Sequence, residues 1–180
     1  LAILIMGIGI VFLIPNSTFA VDSCDFNTAD GNPITADLEV QHVCVAGDVM
    51  DITTGSIITT AAQPIKSKKN TFTLTIEAGR TVETTGGSIA ILAYGNNQTI
   101  TNNGGTIRVS NSSKDNAIKV QGDTFILDNN INGTIQAPSY AVNVSGDSAT
   151  ITNSGTIFGT TLRAIYLNST GHTITNESDG

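Results

Sequence analysis

Two cysteines, Cys24 and Cys44, and two histidines, His42 and His172, are the side chains of this chain best suited to nucleophilic, redox or metal chemistry. Neither histidine has a neighbouring motif that would complete a triad or a zinc site, so both are read as solvated or structural. The cysteines form an even, local pair. In an exported protein such a pair is a disulfide rather than a metal or catalytic site, and two buried thiols are the alternative. Closing a loop of this length contributes about 3 kcal/mol in the chain-entropy model.

Asp25-Phe26-Asn27-Thr28-Ala29-Asp30-Gly31 approaches a calcium loop but misses the required spacing by one residue and lacks the bidentate glutamate, which makes it a turn. There is no Gly-x-Ser-x-Gly elbow, no His-Glu-x-x-His and no glycine-rich phosphate loop. No catalytic residue, metal or cofactor is therefore assigned. Asp123 and Asp147 recur at one register after Gly122 and Gly146, which a repeated turn aspartate explains as well as a catalytic pair would. Sequons at Asn97, Asn111, Asn132, Asn143 and Asn168 follow from a composition rich in Asn, Ser and Thr.

The elements that would position these groups begin after an uncharged apolar run, Leu1 to Ile14, which stops at Pro15. It is shorter than the roughly 20 residues needed to span a bilayer. With small Thr18 and Ala20 at the −3 and −1 positions it reads as a secretory signal, residues 1–20, cleaved after Ala20. The remaining stretch of about 160 residues makes one domain or one continuous stack. With 15 acidic against 8 basic residues and no basic stripe, a nucleic-acid partner is disfavoured.

Internal repetition organises the rest of the chain. An apolar-x-Asn landmark ends at Asn102, Asn129, Asn153 and Asn176, separated by 27, 24 and 23 residues. An Ala-Ile/Val landmark at Ala90-Ile91, Ala117-Ile118, Ala141-Val142 and Ala164-Ile165 keeps the same 27, 24 and 23 separations. A third element, Gly105-Thr106-Ile107, Gly133-Thr134-Ile135 and Gly155-Thr156-Ile157, lies between them, and the segment after it absorbs the length changes. Segments such as Ile118-Lys119-Val120 alternate with period two, which puts Ile and Val on one face.

Three short strands per repeat of 23 to 27 residues make one coil of a parallel β-helix, whose inward row is buried only when coils stack. The spacing places Asn102, Asn129, Asn153 and Asn176 in one turn of successive coils, where their amides can form a ladder. Residues 21–70, where the repeat fades, are expected to form an N-terminal cap grading into the first coils, with coils over 71–180. The chain has no initiator Met and no basic n-region, and it stops in mid-coil after Asn176. It is therefore expected to be incomplete at both ends.

Repeats such as Thr150-Ile-Thr-Asn-Ser-Gly-Thr-Ile157, Ala164-Ile-Tyr-Leu167 and Gly171-His-Thr-Ile-Thr-Asn176 resemble the passenger regions of bacterial autotransporters, over residues 88–180. The resemblance implies a right-handed parallel β-helix on, or released from, a Gram-negative cell, tethered in the full protein by a C-terminal outer-membrane barrel. The expected function is a non-catalytic adhesion or stalk module with a surface ligand of host or bacterial origin. A polysaccharide-acting lyase or glycosidase and a self-assembling surface-layer or fibre protein are the alternatives.

Overall fold

The computed structural model describes residues 42–44, 47, 49–53, 55–59, 63–86, 89–110 and 115–178. Residues 1–20, expected to be a secretory signal, residues 25–31 and Cys24 lie outside the described residues, and so does the side chain of Cys44, which leaves the expected Cys24–Cys44 pairing outside them too. No helix among the described residues is long and apolar enough to cross a membrane.

Alternating apolar residues in short runs, punctuated by Gly, Asn and Ser, cannot complete a helical face, and each run forms a strand of three to five residues. After β1 (His42–Cys44) the chain winds through five three-stranded coils. These are β2 (Val49–Ile52), β3 (Ile57–Thr59) and β4 (Ile65–Ser67), then β5 (Thr73–Glu77), β6 (Thr81–Thr84) and β7 (Ile89–Ala93). The third holds β8 (Thr99–Asn103), β9 (Thr106–Val109) and β10 (Asn116–Val120), and the fourth holds β11 (Ile126–Asn129), β12 (Thr134–Ala137) and β13 (Tyr140–Val144). The fifth holds β14 (Thr150–Asn153), β15 (Thr156–Gly159) and β16 (Arg163–Leu167), and β17 (Thr173–Asn176) starts another turn.

Every strand pairs in parallel with its counterparts one coil away, which makes a β-solenoid with three sheets. Sheet A is β1-β4-β7-β10-β13-β16, sheet B is β2-β5-β8-β11-β14-β17, and sheet C is β3-β6-β9-β12-β15. The stacked strands reach upstream to His42, so much of the 42–70 segment expected in the cap supplies strands to the same sheets.

Stacking aligns the inward residues in rows along the axis. Sheet A contributes Ile65, Ile91, Ile118, Val142 and Ile165. Sheet B contributes Met50, Leu74, Ile100, Leu127 and Ile151, and sheet C contributes Ile57, Val82, Ile107 and Ile135. Apart from the half-buried Ile165 these side chains are fully buried and form one continuous core. Each contributes about 1.5–3 kcal/mol by leaving water.

The corner before sheet B repeats one backbone conformation. Gly47, Thr71, Asn97, Thr124, Ser148 and Gly171 all have positive φ, between 57° and 82°. A β-branched threonine resists that region, and the stack holds it there. The Thr71 N–H donates to the Asn96 carbonyl of the next coil at 2.9 Å, and the Thr124 N–H donates to Asp147 in the same way at 2.9 Å.

Candidate functional site

Of the four repeating asparagines, Asn129, Asn153 and Asn176 end strands of sheet B and Asn102 is the last residue but one of β8; the row lies at the corner between sheets B and C. Asn102 and Asn129 are fully buried and Asn153 is 8% exposed. Each Nδ2 donates to the Oδ1 of the next coil: Asn102 to Asn129 at 2.8 Å, Asn129 to Asn153 at 2.7 Å, and Asn153 to Asn176 at 2.7 Å. The second proton of each amide goes to the following turn, at the carbonyls of Gly105, Gly133 and Gly155, 3.0 to 3.2 Å away.

Glycine at this turn is a steric requirement. A Cβ on Gly133 would lie 2.5 Å from the Asn129 Oδ1 and 2.8 Å from the Asn102 Nδ2. The register partner of Asn102 on the preceding strand is Ile76, which offers no amide, and the Asn102 Oδ1 is buried without a partner.

A buried amide chain of this kind is stabilising only when intact. Asn129→Ala removes two inter-coil hydrogen bonds and leaves polar atoms of Asn102 and Asn153 unpaired in the corner. The expected loss is about 3 kcal/mol in urea unfolding. Asn130 belongs to a parallel, partly exposed row, where its Nδ2 donates to the Asn103 Oδ1 at 2.6 Å. Asn130→Ala is expected to cost under about 1 kcal/mol. Equal losses for the two variants would mean that the buried row adds nothing beyond a surface hydrogen bond.

Asp123 and Asp147 occupy the corner between sheets A and B as links between coils. The Asp147 N–H donates to the Asp123 carboxylate at 2.8 Å, and the Thr170 N–H donates to the Asp147 carboxylate at 3.0 Å. Asn70 and Asn96 accept the equivalent N–H groups of earlier coils, each at 2.9 Å.

The Ser169 hydroxyl, followed by the Thr170 N–H and hydroxyl and by the charge of His172, holds the Asp147 carboxyl below the ordinary aspartate range. A depressed value means that these bonds persist above the ordinary range and are lost as pH falls through the lowered one. The Thr170 amide resonance should therefore titrate below the usual aspartate midpoint, and Asp147→Asn should abolish that titration. A Thr170 titration at or above the usual midpoint would contradict this assignment.

His172 accepts the Ala149 N–H on Nδ1 at 3.1 Å, while its Nε2 is buried without a partner. His42 lies in β1, and its side chain is outside the described ones. Among the described residues, no group of three or more His, Cys, Asp or Glu could hold a metal ion.

What the motif search missed is a groove of about 280 Å³ on the outer face of sheet C, lined by Arg108, Ser110, Gln136, Pro138 and Thr160. The outward row of that sheet runs Ile58, Glu83, Arg108, Gln136 and Phe158. Glu83 is 4% exposed, and its Oε2 binds the Arg108 guanidinium at 2.7 Å while the Ser110 hydroxyl donates to its Oε1. Phe158 at the end of the row is 52% exposed. Among the described residues this row carries one carboxylate, Glu83. The signal in the sequence was a charge pair in equivalent repeat positions, but Glu83 precedes the clearest repeats.

The groove can therefore offer a guanidinium, hydroxyls and an amide to a polar ligand, with an apolar edge at Pro138. Compared with known proteins, the chain matches no family model, no curated protein and no solved structure.

Proposed function

We propose that the chain is an exported, non-catalytic interaction module: a rigid rod of the autotransporter passenger type that meets its partner along the faces of its sheets. One observation carries this reading. The polar side chains that recur from coil to coil, Asn102 to Asn176 and Asn70 to Asp147, hydrogen-bond neighbouring coils. Their recurrence is explained by stacking, and the outward faces are left to vary with a partner. The apolar segment before Pro15 and the repeat type support export to a cell surface.

A polysaccharide-cleaving enzyme is the second reading, and the sheet C groove is what favours it. Glycoside hydrolysis ordinarily needs two carboxylates about 5–9 Å apart. Glu83 is the one carboxylate of that row and is neutralised by Arg108. The test is adherence of beads coated with the purified chain to cell surfaces and extracellular matrix, run beside an assay for new reducing ends or unsaturated sugars. Adherence without product is the expected result. Product formation would replace the interaction module by the enzyme. Neither adherence nor product, with sedimentation showing filaments of the chain alone, would favour self-assembly.

A further inference from the structure

The groove on sheet C is built around an ion pair whose charges offset each other. Glu83 and Arg108 are register partners on neighbouring coils, and Glu83 is 4% exposed. Its Oε2 binds the Arg108 Nη2 at 2.7 Å, and its Oε1 accepts the proton of the Ser110 hydroxyl. Both carboxylate oxygens are thus taken by the protein, while the Arg108 side chain stays 47% exposed. The guanidinium is fixed in place with its charge offset from the coil before it, and its remaining N–H groups are left to donate outward.

The other lining groups complete a pattern of donors and acceptors. The Ser110 proton goes to Glu83, and the Thr160 hydroxyl donates to the Pro138 carbonyl at 3.4 Å, so both hydroxyl oxygens are left to accept. Gln136 lies on the coil between them and makes no side-chain hydrogen bond among the described residues, so its amide can both donate and accept. Pro138 adds an apolar ring on that same coil. The lining is drawn from three successive coils, a length of roughly 10 Å at the usual strand spacing.

We propose that this groove binds a neutral saccharide, one or two sugar rings of a surface glycan, with hydroxyls on Arg108, Ser110 and Gln136 and an apolar ring face on Pro138. The hydrogen-bonding pattern selects the class. A sugar hydroxyl donates and accepts at once, so two neighbouring hydroxyls can satisfy the guanidinium and the Ser110 oxygen together. A carboxylate only accepts. It would leave the Ser110 and Thr160 oxygens unmet, and it would face a guanidinium whose charge Glu83 already offsets. The volume of about 280 Å³ stands near the ~300 Å³ lower end of small-molecule pockets, which suits a sugar unit rather than a bulkier ligand. The proposal rests on the interaction-module reading and names a site and a ligand class for it.

The experiment is an NMR titration of the purified chain with glucose, galactose, mannose, N-acetylglucosamine and their disaccharides, with galacturonate and inorganic phosphate as anionic comparators. Saturable shifts of the Gln136 side-chain amide and the Ser110 backbone amide are expected with at least one neutral sugar, and they should persist at high salt. Gln136→Ala should weaken that binding about tenfold at unchanged thermal stability, through the loss of hydrogen bonds to the sugar. Glu83→Gln leaves the Arg108 charge without its offset and should turn the preference toward galacturonate by about tenfold. Gln136 is partly exposed, so its variant tests the site even where Glu83→Gln destabilises the coil. Lys119→Ser on sheet A should leave binding unchanged.

Galacturonate or phosphate binding the unaltered chain as tightly as the best neutral sugar would overturn the proposal, as would sugar-induced shifts that bypass the groove or survive Gln136→Ala undiminished. If the chain adheres to cells or matrix while no neutral sugar shifts the groove, the ligand class is wrong and the interaction module stands. Groove shifts without adherence would keep the saccharide site and remove the adhesive role. If there is neither, both readings fail together.

Discussion

Ile118→Asp is expected to unfold the middle of the stack, lowering stability by about 4 kcal/mol or more in urea or thermal unfolding. Ile118 is fully buried between Ile91 and Val142 in the inward row of sheet A. A carboxylate there meets only apolar neighbours, and it must either stay charged in a dry core or take up a proton at a cost. Loss of that coil also removes the strand edges on which both adjacent coils are built, so the damage spreads along the axis.

The neighbouring position gives the control. Lys119 points outward, half-buried on the opposite side of the same strand, and makes no ion pair among the described residues. Lys119→Ser should change stability by less than about 0.5 kcal/mol. Comparable losses at the two positions would show that the in-and-out register of sheet A is misassigned. Asn143 and Tyr166, its partners in the outward row, are less suitable controls. The Asn143 Oδ1 is buried, and the Tyr166 ring is stacked on Tyr140.

Gly122→Ala is expected to cost about 3 kcal/mol although it adds a single methyl group. A Cβ on Gly122 would lie 2.0 Å from the Gly95 carbonyl oxygen and 2.8 Å from the Asn96 nitrogen. The obstacle is backbone, which cannot swing aside as a side chain can. Gly95 in turn sits over the Lys69 carbonyl and Gly146 over that of Gly122, so the corner is a column of glycines at the spacing of the coils.

Gly79→Ala separates crowding from conformational strain. Gly79 has φ +74° and nothing within 4 Å of an added Cβ. It should lose only the left-handed penalty of roughly 1–2 kcal/mol. A Gly122 variant as mild as the Gly79 one would mean that the column can open without loss of the stack.

Much of the architecture could be read from the chain alone because two of its determinants are local in character. Period-two alternation sets which side of a strand is apolar, and the locked spacing of the Ala-Ile and apolar-x-Asn landmarks sets the coil length. The inward rows and the alignment of Asn102, Asn129, Asn153 and Asn176 follow from those facts. The Asn landmark itself stops short of the earliest coils. The positions equivalent to Asn102 are Ile76 and Ile52, so the Asn signature is missing where the stacking continues back to His42.

Which polar groups meet was decided only by the tertiary structure. Asp123 and Asp147 are ordinary turn residues in the sequence, and their role as acceptors for the next coil's N–H groups exists only once the corner conformation is stacked. The burial of Glu83 against Arg108, the column of glycines and the stacking of Tyr140 on Tyr166 likewise join residues of different coils. Coils of unequal length, 23 to 27 residues apart, make that alignment uncountable from a fixed period. A strand's two faces are a property of its own backbone, whereas its neighbours above and below are set by hydrogen-bond register with a strand one coil away.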